Sequence, residues 1–190
     1  MRLHLLISLL LAFCISAMSQ TNQPPKANPA EVMQLLRMKM LTNSPAELGQ
    51  KASQEYPRVC GILMDWPLDN ATVSVVSLST GDASIYTTGT FGVIGGIGHE
   101  SVRKAATSFV KLADKHYGDA KSTKDYSLPK ANRVRFYLVC YDGVRMIEDD
   151  LNAVTSRKSK YSGLFDEGQR VITELRLLGM MDEPPKSSPK

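Results

Sequence analysis

The sequence contains few of the residues from which metal sites are built. Its 190 residues include only three histidines and three cysteines. Beyond residue 19 the cysteines are Cys60 and Cys140, which stand alone rather than in the closely spaced pairs of a zinc site. We therefore expect no metal and no cofactor.

An excess of charge of one sign is also missing. The chain has 23 lysines and arginines against 19 acidic residues, which gives a formal net charge of +4. A nucleic-acid-binding protein needs a basic face or stripe, and the one local cluster, residues 157–160, falls in a predicted loop. We interpret this cluster as a solvated surface loop and expect no nucleic-acid partner.

Long hydrophobic runs are absent except at the N-terminus. Arg2 precedes an apolar run over residues 3–15, which is followed by Ser-Ala-Met-Ser at residues 16–19. This order is typical of a secretory signal peptide, and the run is shorter than the roughly 20 residues of a membrane-spanning helix. We predict a signal peptide over residues 1–19, cut after Ser19 or after Ala17, and no transmembrane segment after it.

Cys14 offers an alternative fate for this segment. A lipoprotein signal attaches lipid to a cysteine that follows a small residue, whereas Phe13 is bulky. The pattern therefore favours a signal peptide without lipid. In either case the protein is exported, and we expect a periplasmic or extracellular location.

The rest of the chain is long enough for one domain with a hydrophobic core, since 43% of all residues are hydrophobic. We predict a disordered linker over residues 20–28, a single α+β domain over residues 29–179 and a disordered tail over residues 180–190. Prolines among polar residues mark both flanks. In an oxidising compartment Cys60 and Cys140 either form a disulfide or remain two buried thiols, because both lie in apolar, strand-like runs.

The domain begins with two predicted short helices. Asn28 and Ser44 are each followed by proline at the first helical position and by glutamate three residues after the cap. The spacing of Val32, Leu35, Leu36 and Met40 predicts the buried stripe of the first helix.

The remaining pattern predicts a sheet covered by helices. Residues 58–66, 71–78 and 83–88 have the composition of a three-stranded meander, and a glycine-rich stretch leads from it to an amphipathic helix ending near Gly118. Asp142-Gly143 then predicts a hairpin, and residues 164–178 predict a last helix. We expect an α+β fold: a five-stranded antiparallel sheet, ordered as meander, helix, hairpin and helix, preceded by the two short helices.

This order of elements resembles the longin and roadblock group of profilin-like modules over about residues 58–178. The resemblance implies a five-stranded antiparallel sheet with helices on its faces, and a binding or dimerising platform. It implies no functional residue for this chain. Residues 61–67, 92–100 and 133–137 together are similar to an uncharacterised group of bacterial proteins, which implies no activity.

The glycine-rich residues 92–101 are the best candidate for a site. Glycines let a backbone approach a ligand closely, and the amides at a helix start attract anions. This favours Gly95, Gly96, Gly98 and His99 as a cradle for a small anionic ligand. The spacing matches neither a P-loop nor a dinucleotide fingerprint, so the alternative is a loop that needs glycine for tight packing.

Two sets of side chains are weak candidates for catalysis. His99 and Glu100 are neighbours at the predicted helix start and form an acid/base pair in principle, although Arg103 stands where a zinc metalloprotease helix has its second histidine. Asp65, Asp69 and Asp82 would act as paired carboxylates if they met at one end of the meander, but turn-forming aspartates are commoner.

Two functional hypotheses follow from these patterns. The first is an exported, non-enzymatic binding or assembly module with an unidentified protein as its partner, for which a homodimer through an edge strand or a helix face is one option. The alternative is a hydrolase or transferase that acts on a small anionic substrate at residues 92–101.

Overall fold

A computed structural model describes residues 28–89 and 92–181. The predicted signal peptide with Cys14, the predicted linker up to residue 27 and the predicted tail from residue 182 onward lie outside the described residues. The described ranges form an α+β structure with seven strands and four α-helices.

All seven strands belong to one antiparallel sheet. They are β1 (Val59–Leu68), β2 (Ala71–Leu78), β3 (Ala83–Thr87), β4 (Gly92–Val93), β5 (Lys121–Ser122), β6 (Arg133–Cys140) and β7 (Gly143–Asp150). Their spatial order is β4-β3-β2-β1-β6-β7-β5. The first four strands of the chain thus form one half of the sheet and the last three form the other, and the halves meet where β1 pairs with β6. Chain reversals are tight at Asp69, Gly81 and Gly143, each of which has a positive φ.

The predicted five-stranded sheet is therefore wrong in its strand count. The two further strands, β4 and β5, lie at the two edges of the sheet and have two residues each. Strands this short show no alternation of polar and apolar residues, so the sequence pattern placed both in loops. The edges matter for function, because a short edge strand offers little backbone for pairing with another chain.

The four helices are α1 (Pro29–Thr42), α2 (Glu100–Lys115), α3 (Leu151–Thr155) and α4 (Ser162–Met181). Only one helix precedes the sheet, so the prediction of two is wrong. At the second predicted start the capping box forms, since the Ser44 amide donates to Glu47 Oε2 over 2.7 Å. The chain nevertheless makes only a turn there, which ends at Gly49 in a left-handed conformation with φ of +70°.

The helices divide the core into two layers. On the first face of the sheet, α2 and α4 cover the larger apolar cluster, and α2 buries the residues that a 3.6-residue period predicts: Val102, Ala105, Ala106, Phe109, Val110 and Ala113. On the second face, α1 covers a smaller cluster together with residues 123–132, which join β5 to β6 and which we call the strap. Tyr126 and Leu128 are the apolar side chains of the strap that pack there.

The buried stripe of α1 differs from the predicted one. Of the predicted residues Met40 is buried, together with Met33, Arg37 and Leu41, whereas Val32 and Leu35 are exposed. The helix is rotated relative to the prediction because its most deeply placed polar residue, Arg37, has a partner in the sheet. The apolar pattern alone gave no indication of that partner.

The two cysteines are free thiols on opposite faces of the sheet. Cys60 belongs to the apolar cluster of the second face and Cys140 to that of the first, although the strands that contain them are paired. Each thiol donates a hydrogen bond to a backbone carbonyl, Cys60 to Val139 and Cys140 to Leu138. Of the two predicted alternatives, the structure has the pair of buried thiols.

Candidate functional site

The glycine-rich segment connects the edge of the sheet to α2. Within residues 92–99, β4 pairs with β3, and a single 3-10 turn at Gly96–Gly98 leads into the helix. Gly95 adopts a left-handed conformation with φ of +82°, and its amide donates to Ser84 Oγ over 3.3 Å. The described part of the segment is thus fixed to the neighbouring strand.

Gly96 serves packing rather than ligand approach. It is buried, and a Cβ atom at this position would lie 2.6 Å from Val102 Cγ1 and 2.8 Å from Leu175 Cδ2. A Cβ at Gly98, in contrast, would have no neighbouring heavy atom within 4 Å. The close approach at Gly96 brings α2, α4 and the edge of the sheet together.

Replacing Gly96 by alanine is expected to lower the free energy of unfolding by about 1–3 kcal/mol, because Val102 is branched, fully buried and unable to move aside. The matched change Gly98→Ala adds the same methyl group in open space, and we expect it to alter stability by less than about 0.5 kcal/mol. Urea unfolding of both variants measures the difference. Equal effects at the two positions would contradict a packing role for Gly96.

His99 and Glu100 do not converge on a common site. His99 is exposed at the start of α2, and its side chain makes no capping hydrogen bond. The carboxylate of Glu100 lies 2.6 Å from Lys104 Nζ, and this hydrogen bond lowers the pKa of Glu100. His116 lies at the other end of α2, where its Nδ1 is 3.1 Å from Asp119 Oδ2. The structure therefore brings neither histidine into an acid/base pair with Glu100.

The same segment exposes two large aliphatic side chains. Ile94 is 64% exposed and Ile97 is 47% exposed. The backbone beneath them is fixed, because Arg103 Nη1 donates to the Ile97 carbonyl over 2.7 Å and the His99 amide donates to the Gly96 carbonyl over 3.1 Å. Two exposed isoleucines three residues apart on an anchored backbone offer apolar atoms for contact with another molecule.

The three aspartates singled out in the sequence lie apart. Asp69 and Asp82 occupy the turns after β1 and β2, whereas Asp65 is fully buried within β1 on the second face. Asp65 Oδ2 accepts from Arg37 Nε over 2.7 Å, and Oδ1 accepts from the Ser74 hydroxyl. Burial raises the pKa of Asp65, while Arg37 and Ser74 act in the opposite direction.

This ion pair belongs to a polar network that fixes the strap to the sheet. Arg37 Nη1 donates to the Tyr126 carbonyl over 2.5 Å. The Ser127 carbonyl accepts from Arg37 Nη2 at 3.3 Å, from Arg135 Nη1 at 2.8 Å and from the Tyr137 hydroxyl at 2.9 Å. The sequence patterns did not predict this network. The one sign of it in the sequence is a charged residue within each of two apolar strands, Asp65 in β1 and Arg135 in β6.

A cleft of about 480 Å³ opens on the second face, where α1 ends next to the strap and to the β6–β7 hairpin. Its apolar lining comes from all three elements and includes Leu41, Tyr126, Val139 and Val144. Polar residues of the turn after α1, among them Asn43 and Ser44, form part of the lining as well.

The described residues contain no metal-binding cluster and no membrane-spanning helix, and comparisons with known proteins find no match. Over residues 28–89 and 92–181 there is no group of three or more histidine, cysteine or acidic residues able to hold a metal, and no helix long and apolar enough to cross a membrane. No family model, curated protein or solved structure matches the chain. The resemblance to longin and roadblock modules therefore stays a prediction.

Proposed function

We propose that this protein is an exported, non-enzymatic binding or assembly module, and that Ile94 and Ile97 belong to its contact surface. The observation that carries the proposal is the exposure of these two side chains on a backbone fixed by Arg103 and Gly96. A preordered apolar surface loses little conformational entropy when a partner covers it. Export is supported by the signal-like pattern of residues 1–19.

The alternative, a hydrolase or transferase acting at residues 92–101, has less support from the geometry. The side chains of Val102 and Leu175 fill the space next to Gly96, and the Glu100 carboxylate is paired with Lys104. An acid/base catalyst instead needs a pKa close to the working pH, whereas the pKa of Glu100 is lowered.

Replacing both Ile94 and Ile97 by aspartate is expected to reduce partner capture at least about tenfold, because charged groups would be desolvated at the contact. The measurement is chemical crosslinking in cells that produce the protein, followed by purification and mass spectrometry of the crosslinked products. Leu68→Asp is the matched control, since Leu68 is 54% exposed at the end of β1 and outside the proposed surface.

The outcomes separate the two hypotheses. A product retained in the Leu68 variant and lost in the double isoleucine variant supports the module, and its mass distinguishes a second copy of this chain from another protein. Crosslinking that is unaffected by the isoleucine changes contradicts the proposed surface. A small anion that native mass spectrometry detects on the wild type but not on the His99→Ala/Glu100→Ala variant would favour the enzyme.

A further inference from the structure

We propose that α1 and the strap form one cooperative lid over the second face of the sheet, with Arg37 as the link between them. This inference concerns a conformational device and is independent of the proposed contact surface at Ile94 and Ile97. Three observations support it: the hydrogen bonds of Arg37 to the sheet and to the strap, the apolar cluster that α1 and the strap cover, and the cleft between these two elements.

Arg37 joins three parts of the molecule through one guanidinium group. Its side chain is 1% exposed, and its donors reach Asp65 in β1 and the carbonyls of Tyr126 and Ser127 in the strap. If α1 left the sheet, Tyr126 would lose the side-chain donor to its carbonyl and Asp65 would lose its cation. If the strap left first, two guanidinium donors would be unpaired beneath the helix. Each element therefore stabilises the other, and this coupling is reciprocal.

The strap has little backbone pairing of its own to keep it closed. Several of its amides bond only to nearby side chains, as Asp125 does to Thr123 Oγ1 and Ser127 does to Asp125 Oδ1. Its links to the sheet are mainly donors from Arg135 and Tyr137 to Ser127 and the pairing of Thr123 with Val144. Segments with few buried backbone hydrogen bonds open at a lower free energy than the core.

Beneath the lid, the second face of the sheet presents apolar side chains around the buried Asp65. Leu63, Tyr86 and Tyr137 are buried in the cluster of the second face and come from the rigid strands of the sheet. The cleft of about 480 Å³ lies between α1, the strap and the hairpin, so the lid is not closely packed at that seam. Opening of the lid as a unit would uncover this face while α2 and α4 still hold the first face.

Limited trypsin proteolysis of the full chain tests the coupling, because Lys39 lies in α1 and Lys124 and Lys130 lie in the strap, all of them exposed. Met40→Ala loosens α1 without removing a hydrogen bond of Arg37, since Met40 is apolar and packs against Gly61 in β1. We expect this change to raise the cleavage rates after Lys39 and in the strap together, by about tenfold or more. Cleavage after Lys158, in the loop between α3 and α4, serves as the internal reference and should change little.

Arg37→Lys completes the test because lysine lacks the fork that reaches both strap carbonyls. We expect this variant to raise strap cleavage by itself, and Met40→Ala to add less than about twofold in the strap when combined with it. Trp66 fluorescence checks that the first face remains folded, since Trp66 packs against Phe165 there. The proposal would be overturned if Met40→Ala raised cleavage only after Lys39. It would also be overturned if Met40→Ala raised strap cleavage by the same factor in the wild-type protein and in the Arg37→Lys variant.

Discussion

Replacing Arg37 by methionine is expected to lower the free energy of unfolding by about 3–5 kcal/mol, which is a large part of the stability of a domain of this size. Methionine fills much of the same space, so the loss comes from charge rather than from a cavity. Asp65 is fully buried and would retain its hydrogen bond from the Ser74 hydroxyl and the more distant charge of Arg135. The strap would lose the donors that Arg37 provides to Tyr126 and Ser127. Urea unfolding at neutral pH measures the change.

Two further variants show whether the unpaired carboxylate causes the loss. Arg37→Met combined with Asp65→Leu removes both charges, and we expect it to regain most of the stability. Arg133→Met removes an arginine of a partly exposed pair, 3.4 Å from Glu148, and we expect a loss below about 1 kcal/mol. Equal losses for Arg37→Met and the double variant would contradict this explanation.

The pH dependence of the Arg37→Met variant has a defined sign. Burial already raises the pKa of Asp65 in the native protein, and loss of the Arg37 cation raises it further. The native state of the variant then binds a proton at a pH where the unfolded state does not. Its stability relative to the wild type is therefore expected to increase as the pH falls from 8 towards about 5.

This ion pair also shows what sequence patterns can and cannot predict here. The buried face of α2 follows from periodicity because its buried side chains are all apolar. On α1 the same argument chose the stripe with Val32 and Leu35, since the stripe that is buried contains an arginine. A charged residue is stable in a core only when a partner of opposite charge lies next to it. The partner of Arg37 is Asp65, which is 28 positions away in the sequence and belongs to another element. No local pattern contains that information.

The place of the glycine-rich segment in the fold follows from the sequence, but the roles of its residues do not. Glycine density located the segment before α2, yet a glycine required for ligand approach and one required by a neighbouring side chain look the same in sequence. Contacts with Val102 and Leu175 assign Gly96 to the second kind. The exposure of Ile94 and Ile97 was equally hidden, because an isoleucine in a loop is as consistent with a buried contact as with a surface.

Raising the pH from 9 to 10 is expected to destabilise the protein through its two buried cysteines. Burial raises the pKa of Cys60 to about 11 and that of Cys140 to about 12, whereas an unfolded thiol ionises near 8.5. Between these values the native state holds protons that the unfolded state has released, so the free energy of unfolding falls with rising pH. The slope approaches about 1.4 kcal/mol for each pH unit and each thiol, or roughly 3 kcal/mol for both.

Urea unfolding under reducing conditions at pH 8, 9 and 10 measures this slope, and cysteine-to-alanine variants assign it. Burial also raises the pKa of Tyr86 and Tyr137, and an unfolded tyrosine ionises near pH 10, so tyrosine ionisation adds to the slope between pH 9 and 10. We therefore expect Cys60→Ala and Cys140→Ala each to remove about half of the slope between pH 8 and 9, and the double variant to be nearly independent of pH in that interval. Because both native thiols stay protonated in this interval, each contributes only the ionisation of its unfolded form, and the two contributions should add. A slope that persists without both cysteines would show that other groups cause it.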